Sequence, residues 1–244
     1  MLTPVSKEKE VYLGKLRGCG KIMNFSVLYG SGVKGLATFL QGEFPHLPWS
    51  KLTEIAKLAI KAKKGTTDRE GVFSGGTDSG AFNMMDKIAI HSPTPSLPTL
   101  GTKITTALRP SVVGRDFLPG RRNWAIQGTG AEILSIFLVA VHWLAKKKGI
   151  TTLFIISIHD EIWWLFREED TEMGVKILQL AHLYTWGLFN AQLGMPDLAL
   201  NNAFFSGIAV DDRVRKGVDE STVSPSNPNG AGEPPGKEYS AYDL

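Results

Sequence analysis

Arg17, Lys21, Phe25 and Tyr29 recur at every fourth position of the segment RGCGKIMNFSVLYGSG. At about 100° per residue, each step of four advances about 40°, so on a helix the four share one slowly turning face. At a rise of about 1.5 Å per residue the stripe runs roughly 18 Å. It carries two cations at one end and two aromatic rings at the other. That gradient suits a nucleoside triphosphate: the cations meet phosphate oxygens, and the rings pack on sugar and base. The spacing equally fits an amphipathic core helix whose basic residues lie at an exposed end, and it does not choose between the two.

A second set lies in FIISIHDEIWWLF, residues 154 to 166, where His159, Asp160 and Glu161 stand between two apolar runs. Taking a carboxylate out of water costs several kcal/mol even after relaxation, so acids placed among buried runs call for a partner. The β-branched run 152–158 and the aromatic run 162–166 predict a hairpin with these polar residues at its tip. An ordinary exposed turn is one reading. Against it, tight turns favour Asn-Gly, Asp-Gly or Gly-X, because positive φ is required, and Asp-Glu is a poor choice there. Both strands are also apolar right up to the acids, which predicts a tip lying against other structure. The alternative is a hard divalent cation such as Mg²⁺, held by one or two carboxylates together with substrate phosphate oxygens.

The elements that must position these residues are legible in outline. The 244 residues allow one large or two modest domains, and 43% hydrophobic with 21% charged residues is a globular balance. A net charge of +3 leaves a polyanionic partner open. The single cysteine, Cys19, excludes an internal disulfide. The longest apolar stretch, residues 133 to 145, falls short of the ~20 residues of a spanning helix, so no membrane partner is expected. Neither a signal peptide nor a transit peptide is visible at the N-terminus. Helices are predicted over 7–29, 49–64, 132–148 and 171–193, with lysines and a following glycine closing the second and third. Residues 66–79 read as a polar loop, and 217–244, rich in Pro, Gly, Ser and Asn, as a flexible tail.

The two sets also carry a resemblance. RxxxKxxxFxxxYG resembles motif B of the family A DNA polymerases, and IHDE resembles their motif C. RNWAIQGTGAE is similar to the family's segment that touches the primer–template duplex. GGTDSGAFN, PTLGTKITTALRPS, LGMPDLALNNAFFSGIAVDD and the tail's SPSNP fall in the order of the mitochondrial members, over most of residues 6 to 230. The resemblance implies an α/β (α+β) portion of palm and fingers, with an antiparallel palm hairpin flanked by helices. Residues 1–75 would be fingers, 76–216 palm and 217–244 the tail. It further implies template-directed DNA polymerase activity in mitochondrial DNA replication, with Mg²⁺ as cofactor and primer–template DNA and dNTP as ligands. An accessory subunit of the holoenzyme is a possible partner, and the localisation would be mitochondrial.

Carried over residue by residue, Asp160 would bind the metal and Glu161 would tune that site. Arg17 and Lys21 would hold the triphosphate, Lys21 also stabilising the leaving pyrophosphate. Phe25 and Tyr29 would pack the nascent base pair, and Gly30 would permit close approach of the template. Asn123 and Gln127 would touch the minor groove, Arg121 the DNA backbone, and His159 the primer terminus. Two departures stand out: Gly18 and Gly20 weaken the helix, and Phe25 replaces the tyrosine usual in the mitochondrial members. The family's other metal-binding aspartate and its exonuclease lie upstream of the matching segments, so the isolated chain is expected to be inactive. A non-catalytic DNA-binding remnant stays open as the alternative.

Among other features, GSGVKG and GGTDSG read as structural loops rather than phosphate cradles, since neither has the strand-loop-helix context. His142 reads as a core histidine, and one of Trp163 and Trp164 as core.

Overall fold

The four-residue stripe does lie on a helix: α1 spans Lys7–Leu28. The computed structural model describes residues 7–89, 92–114, 116–194, 206–215, 217–218, 223–230, 232 and 234–240, with side chains from residue 12 onward. Most of the LGMPD segment, residues 195–205, lies outside the described residues, as does part of the tail. The chain divides into two units, Met1–Thr129 and Gly130–Leu244, a division that falls near residue 130 and not at residue 75. Its class is mixed, seven α-helices and three two-stranded antiparallel sheets among the described residues.

In the first unit α1 is followed by α2 (Val33–Glu43), α3 (Trp49–Lys64), β1 (Gly65–Thr67), β2 (Phe73–Gly75), α4 (Ser79–Ala89) and α5 (Pro110–Val113). It also contains the start of α6 (Leu118–Lys148). Helix α3 has the predicted span, buries Leu52 and Ala56, and ends on Lys61, Lys63 and Lys64. The region expected to be loop instead forms a small hairpin, with Thr66 opposite Ser74. One core gathers Val27, Leu36, Leu40, Leu52, Ala56, Phe82, Met85, Leu97 and Ala125 from α1 to α4, the following loop and the first turns of α6.

Arg121 corrects an expectation. It is fully buried, with no exposed surface, and it reaches no solvent where a DNA phosphate could lie. Its Nε donates to the Ala89 carbonyl at 2.9 Å, and one terminal nitrogen donates to Gly114 at 2.9 Å. The other terminal nitrogen also donates to Ala89. Ala89 ends α4 and Gly114 follows α5, so one guanidinium satisfies carbonyls that helix ends leave without partners. A cation at the negative end of a helix dipole adds to this. Next to it, Arg122 grips the Asp86 carboxylate of α4 with two nitrogens, one of them at 2.7 Å. The Arg-Arg pair therefore fixes the start of α6 on α4.

Lys63 supplies another tie. Its ammonium meets Asp78 at 2.6 Å and donates to the Asn24 side chain of α1 at 3.2 Å. The hydrogen bond from Lys63 holds the Asp78 carboxyl below its usual range, against a smaller opposing effect of burial. Lys64 sits over the Phe82 ring at 4.6 Å, and burial pushes its pKa down, helped by the nearby Arg122.

The second unit holds the rest of α6, β3 (Thr152–Ile158), β4 (Glu161–Phe166), α7 (Thr171–Gln192), β5 (Ile208–Val210) and β6 (Lys237–Tyr239). Ala140, Val141 and Ala145 of α6 pack on Ile177 and Ala181 of α7. Helix α6 is 31 residues long, well beyond the predicted 132–148, because the polar segment before it continues the same helix. Among the described residues it is the one helix long and apolar enough, by length and composition, to cross a membrane. His142 is exposed on it, contrary to the expected core position. Trp163 and Trp164 are both half-buried. Trp164 packs edge-on to Phe154 and borders the α6–α7 core. The tail contributes a strand, with Val210 opposite Lys237, so its described part is not wholly irregular.

Replacing Arg121 with alanine takes the guanidinium donors from the buried Ala89 carbonyl, at about 1–3 kcal/mol, and from the more exposed Gly114 carbonyl, which water can satisfy. Urea unfolding of Arg121→Ala should show a loss of that order. Unchanged stability with weakened DNA binding would instead restore the phosphate-contact role.

Candidate functional site

On α1 the buried face is carried by Cys19 and Val27, while Arg17, Lys21 and Phe25 face solvent. Phe25 is therefore not part of the core of this chain, as a core helix would have turned it inward. Phe25 is 45% exposed, a large apolar ring left at the surface. Among the described residues no carboxylate partner is recorded for Arg17 or Lys21. Nearby lysines differ: Lys15 meets Glu43 at 3.9 Å and Lys63 meets Asp78. Two cations without a carboxylate partner among the described residues therefore stand at one end of an exposed face.

The aromatic end is ordered by stacking. Phe25 and Tyr29 have ring centroids 6.0 Å apart and planes 18° from parallel, an offset arrangement favoured by ring quadrupoles. Tyr29 follows the last residue of α1, and its N–H still donates to the Phe25 carbonyl at 2.8 Å. Gly30 then takes φ +90°, a conformation that side-chain-bearing residues rarely adopt. An added Cβ there would lie 3.4 Å from the Pro119 side chain, so a need for glycine exists at 30 without any template.

The start of α6 brings a further residue to this end. With Arg121 and Ala125 buried, Asn123 and Gln127 lie on the exposed face, one turn apart. Gln127 Nε2 donates to the Tyr29 hydroxyl at 3.0 Å across 98 residues of sequence. On the inward side, a Cβ on Gly128 would come within 2.7 Å of Leu97 Cδ1, so the glycine of QGTG lets α6 approach the core closely. Two residues singled out separately by sequence, one for nucleotide and one for duplex, are thus in contact.

In the second unit the hairpin tip is tighter than expected. Ile158 pairs with Glu161 around a two-residue connection, His159-Asp160, so Glu161 belongs to β4 rather than to the turn. His159 takes φ +56°, a left-handed conformation that histidine adopts more readily than most residues. Asp160 is exposed, and Glu161 is half-buried with one carboxylate oxygen accepting from Trp163 Nε1 at 2.7 Å. Both acids are thereby accommodated: Asp160 is solvated and Glu161 is held by an indole. A bulge at Ile155 shifts the register between Phe154 and Ile156, and β3 leaves Leu153, Phe154, Ile155, Ile156 and Ile158 exposed.

Among the described residues no group of three metal-ligating side chains is found. The tip offers the two oxygens of Asp160 and the remaining oxygen of Glu161. A hard divalent ion is held by one or two carboxylates with water and substrate phosphate, and the exposed Asp160 carboxylate is of the type that can serve as one such ligand. The positive φ at His159 has its own test. His159→Val should destabilise the hairpin by about 1–2 kcal/mol, since a branched side chain meets the following carbonyl in that region, whereas His159→Gly should be neutral or stabilising. Thermal unfolding of the two variants checks this, and equal effects would show that the turn relaxes.

No family model matches the chain. Curated relatives do. DNA polymerase gamma, mitochondrial, of Neurospora crassa is 36% identical over 223 residues, 88% of this chain and 15% of its own length. DNA polymerase gamma of Komagataella pastoris is 35% identical over 236 residues, 95% of this chain and 23% of its own. DNA polymerase subunit gamma-1 of Xenopus laevis is 35% identical over 210 residues, 84% and 17% respectively. The chain thus spans less than a quarter of the length of these relatives. Among solved structures, the POL domain of Pol1 from M. smegmatis, in complex with DNA primer-template and dNTP, gives a TM-score of 0.49. It is 16% identical over 70% of this chain and 28% of that one, a likeness below the level that identifies a fold. The sequence relationship stands on its own: over most of its length, this chain is a relative of DNA polymerase gamma.

Proposed function

We propose that the chain serves template-directed DNA synthesis in mitochondria, as the part of a DNA polymerase that receives the incoming nucleotide and presents one metal-binding carboxylate. The observation that carries this is the exposed α1 face, two cations without a carboxylate partner among the described residues, followed at four-residue steps by two stacked rings. The relatives' names supply the reaction class and the compartment. A relative named as subunit gamma-1 also makes an accessory chain a proposed partner.

In the proposed reaction the primer 3′-hydroxyl attacks the α-phosphorus of a dNTP and pyrophosphate leaves. Arg17 and Lys21 hold the β- and γ-phosphates through charge-assisted hydrogen bonds. Lys21 neutralises charge that grows on the leaving pyrophosphate and is placed to give it a proton. Phe25 and Tyr29 pack on base and sugar, and their stacked geometry restricts where the base sits. Asn123 and Gln127 face the minor groove, where acceptors are common to every base pair and contact is independent of sequence. His159 lies next to the primer terminus. Asp160 would hold Mg²⁺, with Glu161 orienting that site, and the ion would lower the pKa of the attacking hydroxyl. One exposed aspartate does not by itself hold the two ions of a two-metal site, so the 244 residues alone are proposed to bind substrates without extending primers.

Titration of dNTP into the chain with primer–template DNA and Mg²⁺ tests the proposal. Lys21→Ala should weaken dNTP binding by about 10- to 150-fold, the worth of a hydrogen bond to a charged group, with DNA affinity unchanged. Asp160→Ala should remove the Mg²⁺ dependence of dNTP binding. Salt-dependent DNA binding with no dNTP binding at all would favour the non-catalytic DNA-binding alternative.

A further inference from the structure

From the way the GGTDSG loop, residues 75 to 80, grips the end of α3, we infer that Lys63 is a positioning residue for the proposed nucleotide face. It acts through Asn24, the α1 residue that its ammonium holds. The inference rests on the nucleotide reading given above.

The last carbonyls of a helix need donors from outside it, and this loop supplies them to α3. Thr77 N–H donates to the Ala62 carbonyl and Asp78 N–H to the Lys63 carbonyl, each at 2.9 Å. The Ser79 hydroxyl donates to the Lys64 carbonyl at 2.9 Å and accepts from Gly76 N–H at 2.8 Å. A Cβ on Gly76 would run into the Lys63 carbonyl, so the close wrap depends on glycine there. Asp78 thus holds Lys63 twice, main chain to main chain and carboxylate to ammonium at 2.6 Å. The ammonium so fixed donates to Asn24 Oδ1 at 3.2 Å.

At about 100° per residue, Asn24 stands about 20° from Arg17 and about 60° from Lys21 around α1, and it directly precedes Phe25. The tie therefore borders the cation stripe. Asp78 offsets the Lys63 charge, so the pair brings little net charge to the phosphate end, and what it fixes is position. Cys19 and Val27 carry the buried face of α1, and Lys63 adds a restraint on an exposed residue beside the stripe. With the tie in place, Arg17, Lys21 and Phe25 are already set when a triphosphate arrives. Without it the ligand has to order the helix on binding, which lowers affinity.

The test uses the full chain with dATP, primer–template DNA and Mg²⁺, and compares Lys63→Met, Asn24→Ala and the double variant. Lys63→Met should weaken dATP binding about 2- to 10-fold, the net worth of one hydrogen bond, with DNA affinity unchanged. Amide hydrogen exchange in the α1 segment should become faster. Asn24→Ala should have the same effects, and Lys63→Met should add nothing to them in the double variant. A loss of dATP affinity from Lys63→Met that persists in the Asn24→Ala background would mean that Lys63 acts on the phosphates directly, and would overturn the inference. Unchanged dATP affinity in Lys63→Met, or equal losses of dATP and DNA affinity as from a general structural defect, would overturn it as well. If the unsubstituted chain binds no dATP, the nucleotide reading fails and the positioning role with it. Failure of the inference alone is recognised by dATP binding that Lys63→Met leaves intact.

Discussion

A fully buried guanidinium is expensive unless its nitrogens find acceptors, and each of the three nitrogens of Arg121 donates to a main-chain carbonyl. Its partners are Ala89 at the end of α4 and Gly114 after α5, separated from it by 32 and 7 residues. The charge can be buried only when α4, α5 and the start of α6 are all in place. Arg122 adds a forked pair to Asp86 on the same helix, one turn before Ala89. From that anchor the helical period dictates the rest: Ala125 and Gly128 turn inward to the core, and Asn123 and Gln127 turn outward.

On α1 the division of labour is reversed. Little of the helix is buried, its core face being carried by Cys19 and Val27, and the exposed side carries Arg17 and Lys21, without a carboxylate partner among the described residues, and Phe25, stacked on Tyr29. Surface groups of this kind contribute little by burial, and the proposed ligand, with phosphate and aromatic parts, would give them a function. Side ties add to the packing of α1: Lys15 on Glu43, the Lys63 ammonium on Asn24 and the Gln127 amide on Tyr29. The hairpin of the second unit follows the same economy, with Glu161 held by Trp163 and Asp160 left to solvent.

Much of this was readable from spacing. The stripe at 17, 21, 25 and 29 and the span of α3 follow from periodicity, with closing lysines before Gly65 marking the end of α3. Helix α2 was hidden by Gly35 and Gly42, although Leu36, Ala37 and Leu40 carry a helical period and are buried. Helix α4 starts inside a stretch that reads as loop, yet Phe82, Met85 and Ala89 repeat at three and four residues and are buried too. Arg121 could not be placed from sequence, because a motif fixes neither which way an arginine points nor that main-chain carbonyls await it. The Tyr29–Gln127 bond is of the same kind: 98 residues separate its ends, and no local pattern joins them.

The claim at the centre is that the α1 face is where a deoxynucleoside triphosphate sits. Photocrosslinking with an azido-dATP in the presence of primer–template DNA and Mg²⁺, followed by peptide mapping, tests it most directly. The account predicts crosslinks concentrated in the segment from Lys21 to Gly30 and suppressed by unlabelled dNTP. Crosslinks confined to other segments, or none that dNTP competes away, would contradict it.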